Sequence, residues 1–316
     1  MSTEKEKKSS RNFVLAVGFL KETTLELKSS SDGRRFISGN VTVAVDEFNT
    51  HRVRFLVFED QLKDKFDAVE KFLPNNVVSI ASYLKANPTA NFAVASGMAA
   101  KVWVTGTLEE YAKIKGENET SSITLAGAKI GFSDPEKFEP KATFEVEGVV
   151  ASIADEVVDE KATGRVNLGL YIPAYKELIY KADFVVNAEN NAAKYVKEKF
   201  AEGDSLLIKG NLVAMVIKTV NEETDDEEDV DSFGDPITPQ YTTRFVREMV
   251  VTGGKRVDDL LTKKQITAGL VARTELATSR GKAEKERALK KAAAAEETHD
   301  STPSAAPAAN KDDFDF

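Results

Sequence analysis

Residues 101–108 read KVWVTGTL and residues 206–212 read LLIKGNL. Inside them, V-T-G-T-L at 104–108 and I-K-G-N-L at 208–212 place a β-branched residue, a glycine and a leucine at the same spacing. Both runs are rich in strand-forming residues, with turn-prone residues close by. Their surroundings repeat as well. Before the first come Asn12–Leu27 (NFVLAVGFLKETTLEL), the turn SSSDG at 29–33, and two alternating runs, Arg34–Val45 and His51–Phe58. A helical region follows, QLKDKFDAVEKFL at 61–73 and a second piece near Val78–Leu84, and SITLAGAKIGF at 122–132 supplies a strand after the motif. Around the second motif stand Thr143–Val158, the turn DEKATG, the alternating Arg165–Ile172 and Glu177–Val186, a helix over Ala188–Ala201, and the strand Thr243–Thr252.

Strand, strand, strand, helix, strand, strand thus occurs twice, and an internal duplication accounts for it most economically. Five strands with a helix between the third and fourth is the order of the OB-fold, a small Greek-key barrel. The expected fold is therefore mainly β: two tandem OB-fold barrels, with a C-terminal helical segment and a disordered acidic tail. Another all-β arrangement of the same strands is the alternative. Gly18 and Gly148, each inside a long first strand, suit the bend by which that strand serves both halves of a barrel.

The chain has 316 residues, 41% of them hydrophobic, enough for about two ordinary cores. Its net charge of -9 argues at first against a polyanionic partner. The acids are clustered, however: nine lie between Glu222 and Asp235 and three more end the chain, so the remainder is nearly neutral with basic patches. The expected divisions are a basic arm at 1–11 (Lys5, Lys7, Lys8, Arg11), a first OB-fold at 12–138, a second at 139–255 with an acidic loop at 221–235, a basic helical segment at 256–297, and a linker with an acidic-aromatic tip at 298–316. The arm and the basic helix either follow a phosphate backbone or are simply solvated, and the helix has a third option in holding the acidic tail. The acidic loop is either a solvated loop or an internal mimic of DNA.

Period-two alternation with Val41, Val43 and Val45 inward turns Arg34 and Phe36 outward; with Val53, Phe55 and Val57 inward, Arg52, Arg54 and Phe58 also face out. Cations for phosphates and rings for stacking bases are what a sequence-tolerant single-strand binder requires. The alternative is that these arginines keep a strand exterior soluble and the phenylalanines pack under a loop. Trp103 either joins this surface or lies in the core. The second unit offers Arg165, Tyr171, Tyr175 and Lys181 on the corresponding face, with fewer cations.

Enzyme motifs are lacking. No cysteine is present, and His51 and His299 are the only histidines; with His299 assigned to the linker, a His-based triad or metal cluster around His51 has no second member. VTGGKRV at 251–257 lacks the glycine spacing and the Ser/Thr of a P-loop. The expectation is a non-enzymatic protein without cofactor or metal. The N-terminus MSTEKEKKSSRN has no apolar h-region and no run of about 18 apolar residues occurs, so the expected location is cytoplasmic, the host cytoplasm if the chain is viral.

The chain closes with Asp312, Asp313, Phe314, Asp315 and Phe316 after a Ser/Thr/Pro/Ala linker. An OB core, a flexible linker and an acidic tip with a final aromatic together resemble the single-stranded DNA-binding proteins of bacteria and, more closely, of bacteriophages. That resemblance implies a protein that coats single-stranded DNA with little sequence preference during replication, recombination and repair. It also implies that the tip recruits partners such as a polymerase, helicase, primase or recombinase and competes with DNA for the groove. Two barrels in one chain, and no proline before the final phenylalanine, depart from the common bacterial form, so the oligomeric state does not carry over. The competing expectations are a tandem β-barrel interaction or virion assembly protein that never touches nucleic acid, and an RNA-binding OB protein.

Overall fold

The structure is a computed structural model that describes residues 10–158, 160–220 and 241–299. The basic arm up to residue 9, the acidic loop 221–235, and the linker and tip from residue 300 onward lie outside the described residues, while the first two residues of the expected linker, Thr298 and His299, belong to the C-terminal helix. Within the described set, two compact units occur: residues 10–111 with 122–273, and residues 112–121 with 274–299.

The larger unit holds both barrels. Strand β4 (Thr50–Phe58) shows the governing pattern: His51, Val53, Phe55 and Val57 are buried, while Arg52, Arg54 and Leu56 are exposed. That is a pleated strand with one face in a core. β3 (Arg35–Ala44) pairs antiparallel with β4 from Phe36↔Phe58 to Ala44↔Thr50. β1 (Asn12–Thr23) pairs with β3 at one end and with β5 (Lys101–Lys115) along its first half. β6 (Asn118–Phe132) neighbours β5 and runs parallel to β4 at Val53↔Leu125. The circuit β1-β3-β4-β6-β5-β1 is a closed five-stranded barrel of OB order.

The second circuit is the same. β7 (Lys141–Val158) pairs with β8 (Lys161–Pro173), β8 with β9 (Ile179–Val186), β9 in parallel with β11 (Tyr241–Arg256), β11 with β10 (Ser205–Val220), and β10 back onto β7. Duplication is therefore visible in topology, down to one parallel pairing per barrel. β1 and β7 also pair, from Asn12↔Val146 to Val17↔Lys141, so one sheet runs through both barrels. One hydrophobic core follows it, from Ile37, Val41, Phe55 and Phe66 in the first barrel to Phe144, Leu168, Ile172 and Phe184 in the second.

Some expectations need correction. The single run expected over 12–27 breaks after Thr23: β2 (Glu26–Ser29) is a separate strand that pairs with β3, and Leu25 between them is buried. The bend in β1 falls at the register shift between Leu20 and Glu22, beyond Gly18. Gly18 serves close approach instead, since a Cβ there would fall 2.2 Å from the Ala44 carbonyl oxygen. Between β4 and β5 stand three helices rather than two: α1 (Lys63–Glu70), α2 (Ile80–Ala86) and α3 (Phe92–Met98). Ser79 and Ser82 form a capping box on α2, and the Asn91 side chain accepts the Val94 N–H to start α3. The helix expected over 188–201 is shorter, α4 (Ala192–Lys199), because Asn190 and Asn191 adopt left-handed backbone before it.

The C-terminal helix α5 (Lys263–His299) starts in the larger unit. There Arg273 donates to Glu110 of β5 at 2.8 and 2.5 Å, and the Lys181 backbone N–H donates to the same carboxylate at 2.9 Å. Both side chains are buried, so this ion pair ties α5 to β5 in a dry setting. In the smaller unit Lys113 and Lys115 pair with Glu284 at 3.1 and 3.3 Å, and a Cβ on Gly281 would strike the Ile114 carbonyl oxygen. Among the described residues no helix is long and apolar enough to cross a membrane.

Candidate nucleic-acid interface

Antiparallel pairing of β3 with β4 sets cross-strand rows on the outside of the first barrel. Phe36 stands opposite Phe58, Ser38 opposite Leu56, Asn40 opposite Arg54 and Thr42 opposite Arg52. Directly opposed residues on one face are near neighbours, so each row presents two side chains side by side. The Phe36 and Phe58 rings lie 5.3 Å apart between centroids, tilted by 32°. The Arg34 guanidinium sits 5.3 Å from the Phe58 ring centre, a cation over an aromatic face. Pairing of β2 with β3 adds Lys28 to the same row, opposite Phe36.

The expected residues of this face are thus brought together, with one change of place. Arg34 is not on β3, which begins at Arg35, but in the preceding turn. There it bonds Asp32 at 2.7 Å and reaches Asp60 at 3.7 Å. Hydrogen bonds from Ser30 and then from Arg34 hold the Asp32 carboxyl below its ordinary range. The charge of Arg34 is therefore partly answered within the protein. Arg54 reaches Glu109 at 4.0 Å, and Arg52 has no ion pair among the described residues, which makes it the least compensated cation of the face. Leu56, 52% exposed, and Lys28 belong to the face and were not anticipated. The alternation that placed Arg54 and Phe58 outward marks Leu56 too, whereas Lys28 needed the β2 pairing to be known.

Trp103 also stands outside the barrel, since Val102 and Val104 beside it on β5 are buried. Its indole covers Gly131 of β6, where a Cβ would fall 2.7 Å from Cζ2. It lines a groove of about 670 Å³ with Lys63, Lys65 and Lys129.

The second barrel presents less positive charge. Tyr171 is opposite Lys181 across β8 and β9, but Gly169 in the next outward row faces Asp183. Arg165 bonds Glu248 at 2.7 Å and Glu156 at 3.5 Å, so two carboxylates already neutralise it. Tyr175 does not share the strand face as expected. It is in the short 3₁₀ turn Tyr175–Glu177, where alternation ends, and is 82% exposed with Lys176 Nζ 5.7 Å from its ring.

Fold and surface define the class: a tandem OB-fold protein with an aromatic and cationic face on one barrel. The chain belongs to the YorF family, whose model matches residues 10–283. Among curated proteins no sequence matches it. Similar solved structures include the single-stranded DNA-binding protein from Thermus aquaticus, at 15% identity and TM-score 0.44, covering 81% of this chain and 97% of that one. A deletion and point variant of the same Thermus protein aligns at 16% identity and TM-score 0.46, covering 81% and 98%. A Replication Protein A heterotrimer bound to single-stranded DNA aligns at 9% identity and TM-score 0.18, covering 85% and 54%.

Proposed function

We propose that the chain binds single-stranded DNA, with little sequence preference, through the outer face of β3 and β4 in the first barrel. One observation carries the reading: the Phe36/Phe58 ring pair and the exposed cations Arg54 and Arg52 share one sheet face, with the Ser38/Leu56 row between rings and cations. Bases stack on rings whatever their identity, and each stacked base contributes about 1–3 kcal/mol. Arg52 and Arg54 engage phosphates, and Arg34 supports the aromatic end. Weak sequence preference follows, because none of these groups reads a base edge. The second barrel, with Arg165 neutralised and Asp183 on its face, contributes mainly structure and the pair Tyr171 and Lys181.

This reading extends to a non-enzymatic protein of bacteriophage type that works in replication, recombination or repair. In it, Asp312, Asp313, Phe314, Asp315 and Phe316 recruit the enzymes that act on the coated strand. The tip's isolated aromatics and its charge suit a basic-rimmed apolar pocket on another protein.

The test is a titration of fluorescent oligo-dT, and of the matching duplex and oligo-rU, at low and moderate salt. Tight binding to oligo-dT that weakens as salt rises supports the reading. No binding even at low salt refutes it in favour of an interaction or assembly protein, and a clear preference for oligo-rU makes RNA the ligand.

A further inference from the structure

Trp103 is the only tryptophan in the chain. It lies apart from the β3–β4 face, because in the barrel circuit β6 separates β4 from β5. Gly131 lets the indole lie close on the β6 backbone, and the groove beside the ring is about 670 Å³, within the size range of small-ligand clefts. Three lysines line it against one carboxylate, Asp64. Lys63 already pairs with Asp67 at 3.4 Å and Glu59 at 3.9 Å, and Lys65 Nζ donates to the Gly127 carbonyl at 3.2 Å. Lys129 is exposed and has no ion pair or hydrogen bond among the described residues. An aromatic plane beside an unengaged cation, in a net positive cleft, matches the chemistry of a nucleotide.

We infer that this groove takes one nucleotide of the bound strand, its base stacked on Trp103 and its phosphate against Lys129. The inference rests on the single-strand reading above and lengthens the site. A strand that fills both the β3–β4 face and the groove must pass across β6, wrapping part of the barrel exterior. Short oligonucleotides then occupy one of the two places, and longer ones both.

The experiment follows two signals on the full chain: anisotropy of end-labelled oligo-dT, and the intrinsic fluorescence of Trp103, which reports on this groove alone. Longer oligo-dT is expected to quench the tryptophan at the same concentrations that raise the anisotropy. Lys129→Glu, a change at an exposed position, is expected to weaken binding about tenfold and reduce the quenching. Trp103→Phe keeps a ring and most of the affinity, whereas Trp103→Ala loses about tenfold. If anisotropy reports binding while the fluorescence stays unmoved, or if Lys129→Glu binds and quenches like the parent, the groove assignment is overturned and the β3–β4 face stands. If anisotropy reports no binding at low salt, both readings fall.

Discussion

Replacing Arg52 and Arg54 together by alanine isolates the electrostatic part of the proposed grip. Both side chains point away from the core residues Val53, Phe55 and Val57, so the double variant keeps the buried face of β4. Each cation that meets a phosphate of a single strand contributes about 0.7 to the slope of log affinity against log salt. Among the described residues Arg52 has no carboxylate to leave, whereas Arg54 must exchange Glu109, at 4.0 Å, for a phosphate. Full engagement of both lowers the slope by about 1.4, and engagement of Arg52 alone by about 0.7. Between 50 and 200 mM salt the parent should then lose about 7-fold more affinity than the double variant, or about 3-fold more if only Arg52 counts. Anisotropy titrations of oligo-dT across a salt series measure this directly, with circular dichroism melting as the check on folding. A folded double variant whose slope equals the parent's would remove these arginines from the phosphate path, whatever its absolute affinity.

Four further outcomes follow from particular contacts. Gly18→Ala places a methyl 2.2 Å from the Ala44 carbonyl oxygen, where β1 and β3 close the first barrel, and should cost about 1–3 kcal/mol; an unshifted urea midpoint would contradict that approach. Glu110→Gln removes the buried carboxylate charge that Arg273 pairs with and should destabilise by about 3–5 kcal/mol in denaturant melts, while Glu110→Met with Arg273→Leu should recover only part of the loss, because the Lys181 N–H then lacks its carboxylate acceptor. Burial, then the charge of Arg247, lowers the His51 pKa to about 4, with Asp46 opposing. Between its ordinary 6.5 and 4 the unfolded chain therefore binds the proton that the folded one refuses; stability falls by roughly 3 kcal/mol as pH drops through that window, and His51→Phe should flatten the fall. Deleting residues 309–316 should leave oligo-dT affinity equal or higher and abolish capture of partner enzymes; a weakened affinity would contradict competition between tip and strand.

The parts of this fold that could be read from residue order are those governed by local alternation. In β4 every second residue from His51 to Val57 is buried, so the outward placement of Arg52, Arg54 and Phe58 follows from the run itself. The same rule applies to Trp103 between Val102 and Val104, and the habit of assigning a lone tryptophan to the core competes with it. Alternation says nothing past a strand's end, which is why Arg34 and Tyr175 belong to turns although their parity matched a strand face. Partners brought together by barrel closure are equally invisible locally: Arg165 meets Glu248, 83 residues away, and Arg273 meets Glu110, 163 residues away. The first of these long-range pairs removes free charge from the face of the second barrel. The topologies of the two barrels are the same, yet Arg165 is answered by two carboxylates while Arg52 is answered by none among the described residues. A cation bound to protein carboxylates must give them up before it can hold a phosphate, and the exchange gains little at an exposed site. Duplication thus supplied two scaffolds of one shape, and Glu156 and Glu248 leave the second with less free positive charge for the proposed grip on a single strand than Arg52 gives the first.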